Sequence, residues 1–163
     1  MMRRFVPSRT CLACQGCCRY TEADTRWSPS VLNEEIKTFL KHKIPPGVIS
    51  SDRKIRLMPF KKNNNYICYF FNPQDNKCKI YNFRLFECRL YPFLIKRHGK
   101  SIFLAVDLNC PFVKENLESP KYKEYARYLI TIFNSPRWRK VLKNNPQVIQ
   151  AYEDTINISE IKL

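Results

Sequence analysis

Four cysteines stand within eight residues at Cys11-Leu12-Ala13-Cys14-Gln15-Gly16-Cys17-Cys18, half of the 8 in the chain. The other four, Cys68, Cys78, Cys88 and Cys110, are spread singly through the middle of the sequence. Packing alone requires no such density of sulfur, because a buried cysteine is only a small hydrophobe and its reactivity decides why it is kept. Two chemistries use thiols at this spacing. Cys11-x2-Cys14 is a close pair of the kind that four-coordinate zinc takes. The run Cys11, Cys14, Cys17 (or Cys18) has the Cys-x2-Cys-x2-Cys form that ligates an iron–sulfur cluster, with a remote fourth cysteine to complete it. Adjacent Cys17 and Cys18 point in different directions and can feed two centres. Eight sulfurs suffice for two mononuclear sites, for one cluster plus one ion, or for one cluster with spare thiols, and spacing does not choose among these.

An even number of cysteines also permits disulfides. The N-terminus, Met1-Met2-Arg3-Arg4-Phe5-Val6-Pro7, is basic but has no apolar stretch behind it, so it does not read as a secretory signal. No apolar run reaches the roughly 18 residues of a membrane span. The chain is therefore expected in the cytoplasm, where disulfides are rare, and metal ligation is the stronger reading. His42, at the expected C-terminal end of a helix, and His98, in a turn before Gly99, read as ordinary structural histidines rather than ligands.

These thiols need elements to position them. With 163 residues and 44% hydrophobic composition the chain can bury a core as one domain. Residues 1–10 read as a short extended lead-in, and Gly16 supplies a positive φ that turns the cysteine loop. Ser28 is the expected N-cap, with Pro29 the first residue, of an amphipathic helix over 29–42 whose core positions are Val31, Leu32, Ile36, Phe39 and Leu40. Ile44-Pro45-Pro46-Gly47 stops it. From about 53 to 113 the pattern turns to strands. One hairpin has arms near 55–60 and 66–71, and a second lies on either side of His98-Gly99-Lys100. Asn72-Pro73-Gln74-Asp75-Asn76 is a strong turn between Cys68 and Cys78. The tail reads as helical, from Lys121 to Phe133 and again from Arg137. The expected class is α+β: a small metal-stabilised domain over 1–115, with a C-terminal helical extension over 116–163 packed on it.

Lys and Arg total 29 against 14 Asp and Glu, giving +15 and a strongly basic chain. Such a balance points to an anionic partner, an acidic protein face first and nucleic acid second. For nucleic acid the candidate residues are Arg137, Arg139, Lys140 and Lys143, clustered around Trp138.

The full cysteine pattern carries a family resemblance. Cys11-x2-Cys14-x2-Cys17-Cys18, Cys68, Cys78-Lys-Ile-Tyr81-x2-Arg84-x3-Cys88-Arg89-x-Tyr91-Pro92-Phe93 and Cys110-Pro111 together resemble the CxxCxxCC zinc- or iron-chelating family of YkgJ-type cysteine cluster proteins. The match runs from about residue 11 to 111. Its one departure is Arg84-Leu85, where the family commonly has Arg-Pro. The resemblance implies chelation of zinc or iron by the eight cysteines; together with the ligand spacing, the expectation is an iron–sulfur cluster (4Fe–4S favoured) or zinc, in a structural or redox role. Tyr81, Arg84, Arg89 and Tyr91 are the accompanying positions, with the arginines balancing thiolate charge and the tyrosines shielding the centre or donating to sulfur. Relatedness to the cysteine domain of flagellin lysine-N-methylases raises a protein-modifying enzyme as an alternative. Against it, the 3 glycines of the chain, Gly16, Gly47 and Gly99, build neither a Gly-x-Gly-x2-Gly turn nor a phosphate loop.

Overall fold

The structure, a computed structural model, describes residues 3–14, 16–60 and 65–163. It is α+β, as expected, and divides into two compact units, Pro7–Arg89 and Leu90–Leu163 joined by Met1–Val6.

In the first unit the cysteine-rich segment is not a glycine-turned loop. It forms a short helix α1 (Ser8–Cys14) and a 3-10 turn over Gly16–Cys18, and Gly16 does not have a positive φ. A Cβ built on Gly16 would meet Cys14 Sγ at 3.5 Å, ordinary contact. The chain then enters strand β1 (Arg19–Tyr20). Helix α2 is shorter than the periodicity predicts, Asn33–Lys41, because Ser28-Pro29-Ser30 is committed elsewhere. The Ser28 hydroxyl donates to the Ile55 carbonyl at 2.5 Å, and the Val31 and Ile55 amides donate to Arg53 and Pro29 carbonyls. The helix begins instead at Leu32, whose N–H is accepted by Glu35 Oε2 at 2.9 Å, half of a capping box. Val31, Leu32 and Phe39 are buried, but Leu40 is 63% exposed, since it lies about 100° around the helix from Phe39.

Strands β2 (Leu57–Phe60) and β3 (Asn65–Cys68) pair antiparallel, with β1 on the other edge of β3, giving the order β1-β3-β2. The turn expected between β2 and β3 falls largely at 61–64, outside the described residues. A second, tiny ladder joins β4 (Phe71–Asn72) to β5 (Lys77–Cys78) across the Asn72–Asn76 turn, where Asn72 and Asp75 side chains accept backbone N–H groups and Asn76 takes φ 56°. A 3-10 turn over Tyr81–Phe83 and helix α3 (Phe86–Leu90) follow. The core is Val31, Phe39, Ile55, Ile67, Phe70 and Leu85 with their neighbours.

In the second unit, β6 (Phe93–His98) and β7 (Ser101–Asp107) form the expected hairpin, turned by Gly99 at φ 59°. Helices α4 (Pro111–Asn116), α5 (Pro120–Phe133) and α6 (Pro136–Asn144) come next. The last two each start on a Ser-Pro pair, with Ser119 and Ser135 hydroxyls accepting the amides of Tyr122 and Trp138. The tail does not remain helical. Strand β8 (Thr155–Glu160) pairs antiparallel with β7, so the C-terminal stretch shares a sheet, β6-β7-β8, with the second hairpin. The N-terminal lead-in is also tied down: Phe5 is 3% exposed and packs its ring against Phe93, Phe112, Tyr122 and Tyr125. The Arg3 backbone exchanges hydrogen bonds with the Tyr125 and Tyr128 hydroxyls. Among the described residues no helix is long and apolar enough to cross a membrane.

Candidate metal centre

The sheet register explains how distant cysteines meet. Arg19 pairs with Ile67 and Tyr20 with Tyr66, so continuing the antiparallel register one step places Cys18 opposite Cys68. Three residues beyond Cys68 the chain enters β4, where Phe71 pairs with Cys78. Cys18, Cys68, Cys78 and Cys88 all pack on the same core, which Leu85 and Ile80 line from the segment leading to α3. Cys18 of the N-terminal run is thereby brought to the same apolar core as Cys68, Cys78 and Cys88.

The electrostatics trace the same neighbourhood. Burial pushes the Cys68 thiol up to about 12, with Cys78 and Cys17 adding to the rise. Cys88 is driven well above the usual thiol range by burial first and then by Cys68, Cys17 and Cys78. Cys78 is raised by burial, with Cys11 and Cys17 contributing, and Cys17 is raised chiefly by its hydrogen bond with the Cys18 thiol. These influences link Cys17, Cys68, Cys78 and Cys88, with Cys11 acting on Cys78 and Cys18 on Cys17, and Cys14 lies by Gly16 at the end of α1. Cys110 belongs to the second unit, buried at the N-terminal end of α4.

Among the described residues no three His, Cys, Asp or Glu side chains already stand in a metal-holding arrangement. The donor chemistry nevertheless suits zinc or iron: a set of soft thiols packed on one core. The raised pKa values of Cys17, Cys68, Cys78 and Cys88 keep these four thiols protonated near neutral pH. Metal binding at these thiols would release their protons.

Around the thiols the accompanying residues separate into distinct roles. Arg84, 8% exposed, donates from Nη1 to Cys11 Sγ at 3.2 Å, and its guanidinium lies 4.6 Å from the Tyr81 ring centroid. Burial works against its charge, but the hydrogen bond to Cys11 and the neighbouring Cys11, Tyr81 and Cys88 outweigh it, so its pKa is held above the usual value. Arg89 pairs instead with Glu35, Nη2 to Oε1 at 3.8 Å. Tyr91 lies in the second unit, where its hydroxyl donates to Asp107 Oδ2 at 2.9 Å. The tyrosine beside the thiols is one that the motif does not mark, Tyr20. It is buried, donates to the Cys17 carbonyl at 2.9 Å, and is raised well above the usual phenol range by burial and then by Cys68, Cys88, Cys18 and Cys17. Its signal in the sequence was only adjacency to the cysteine run. His42 stacks on Phe83 at 3.9 Å and His98 lies near Phe103, both in aromatic rather than ligating company.

The candidate nucleic-acid residues lie on α6 in the second unit. Arg137, Lys140 and Lys143 are exposed, and Arg139 is half-buried with its Nε enclosed.

No curated protein and no solved structure matches the chain. Residues 10–127, more than two thirds of its length, match the domain described as zinc- or iron-chelating and named for its Cys-x2-Cys-x2-Cys-Cys signature. The chain belongs to the CxxCxxCC family.

Proposed function

We propose that the chain is a metalloprotein whose centre, an iron–sulfur cluster, is held by cysteines of the Pro7–Arg89 unit in a structural or redox role. The observation that carries this reading is the packing of Cys18, Cys68, Cys78 and Cys88, from four separate stretches of chain, on one core. The choice of a cluster over a single zinc ion is favoured by the Cys-x2-Cys-x2-Cys run and by a thiol set larger than the four that one zinc ion takes. Family membership supports chelation of zinc or iron, without separating them.

Metal content and a visible spectrum after anaerobic purification test this directly. Iron with acid-labile sulfide and broad absorption near roughly 400 nm is the expected result. Stoichiometric zinc in a colourless protein assigns the centre to zinc. Because the site joins α1 to β3, β5 and α3, removal of the metal by a chelator is expected to lower the thermal midpoint and broaden the transition. Identical melting of loaded and stripped protein rules out a structural role.

A second reading concerns the partner. The stretch between Glu124 and Glu153 contains no acidic residue and carries Arg127, Arg137, Arg139, Lys140 and Lys143. This one-signed stretch favours docking to an anionic surface.

A further inference from the structure

Arg84 is a buried cation with unusual company. No carboxylate forms an ion pair with it among the described residues. Its one described hydrogen bond goes to sulfur, Cys11 Sγ at 3.2 Å, and its Nε is enclosed with no acceptor among the described residues. The Tyr81 ring, 4.6 Å away, covers one face of the guanidinium. A guanidinium has five N–H donors, no acceptor, and does not lose its charge in proteins. Burying such an ion is costly unless an anion meets it. The group in contact with it that can become an anion is a thiol, Cys11.

We propose that Arg84 is the fixed counter-cation of the thiolate set, oriented by Tyr81, and that it couples metal loading to the stability of the Pro7–Arg89 unit. The inference rests on the metal reading above. A bound metal keeps its cysteine ligands as thiolates, and several thiolates around one divalent ion leave negative charge that Arg84 offsets. Its N–H···S contact, already charged on the donor side, then gains an ionised acceptor and strengthens. Without metal, no carboxylate among the described residues meets the same guanidinium, so its burial is a cost. Arg84 is therefore a positioning residue with opposite effects on the two states: it favours the loaded protein and burdens the empty one.

Three full-length chains test this: wild type, Arg84→Met and Arg84→Lys, with Zn2+ as the probe. Zinc affinity is measured by competition with a chromophoric chelator, and thermal melts are recorded with and without zinc. Arg84→Met is expected to lose about tenfold or more in zinc affinity, as for other partners of metal ligands. Its metal-free melting point should stay level or rise. Arg84→Lys, which keeps the charge without the fork, should recover part of the affinity. A residue needed only for packing would lower both melting points alike and would gain nothing from lysine, so either of those results overturns the proposal. Unchanged affinity in Arg84→Met beside zinc-binding wild type refutes the role of Arg84 and leaves the metal centre standing. Wild type that takes up neither zinc nor reconstituted iron removes both.

Discussion

The thiols of this protein depend on individual residues that are not themselves sulfur. Tyr20 is the clearest example. Its hydroxyl holds the Cys17 carbonyl from the first strand, so the 3-10 turn carrying Cys17 and Cys18 is fixed to β1 at the point where the register sets Cys18 opposite Cys68. Replacing Tyr20 by Phe removes a buried donor while keeping the ring. The expected cost is about 1 kcal/mol of stability, from the lost hydrogen bond and the carbonyl left without it. Urea denaturation of the metal-free chain measures it. Metal stoichiometry should be unchanged, because no ligand is removed; a loss of bound metal would instead make Tyr20 part of the centre. The cysteines themselves were legible in the sequence, since nothing else explains four thiols in eight residues. Tyr20 was not, because an aromatic beside a cysteine run looks like any other core residue until the strand pairing is known.

Two carboxylates tie elements together where apolar patterning shows only loops. Glu35 accepts the Leu32 N–H at the start of α2 and, through its other oxygen, the Phe86 N–H at the start of α3, with Arg89 at 3.8 Å. Glu87 accepts the Ser30 N–H ahead of α2. Burial pushes Glu35 from 4.5 up to about 7 and Glu87 up to about 8, against the pull of those backbone donors. A carboxyl whose pKa is higher in the fold than in the unfolded chain binds more protons when folded, so stability falls as pH rises. The contribution is complete below about pH 4.5 and is lost through the range from about 5 to 8. For Glu35 alone the change is on the order of 3 kcal/mol. Denaturant midpoints of metal-free chain from pH 5 to 8.5 should decline, and Glu35→Gln should flatten the slope while lowering stability at pH 5, because an amide oxygen cannot serve both N–H groups. A profile that rises across this range contradicts the assignment. Elements with strong periodicity or turn chemistry, such as α5 and the hairpin at Gly99, could be read from sequence. The start of α2 could not, since Ser28 and Pro29 look like a helix cap and are instead bonded to Ile55, a partner 26 or more residues away. β8 was hidden for the same reason: Thr-Ile-Asn-Ile-Ser-Glu has little apolar character of its own and is a strand because β7 accepts it.

Charge is the property of the molecule as a whole, and α6 carries a one-signed share of its surplus. Arg137, Lys140 and Lys143 are exposed at three-residue intervals, a stripe advancing about 4.5 Å per step along the helix. Arg137, Arg139 and Lys140 also crowd the positive end of the helix dipole, which has no acidic residue in its first turn. Each such placement works against helix stability by about 0.3–1 kcal/mol. A local arrangement that opposes its own fold is the kind that function retains. If α6 docks on nucleic acid, three phosphate contacts predict a log–log salt slope of about −3 for duplex DNA. Fluorescence anisotropy with random duplexes and single strands, from low to physiological salt, reads that slope. Reversing Arg137, Lys140 and Lys143 together to Glu should abolish binding without changing metal content, because α6 and the thiols of Pro7–Arg89 belong to different units. Absence of binding to either form at the lowest salt excludes nucleic acid, and the anionic partner is then an acidic protein face. That outcome is separable by the same triple variant, since a loss of retention on an acidic polypeptide such as polyglutamate would still map the contact to α6.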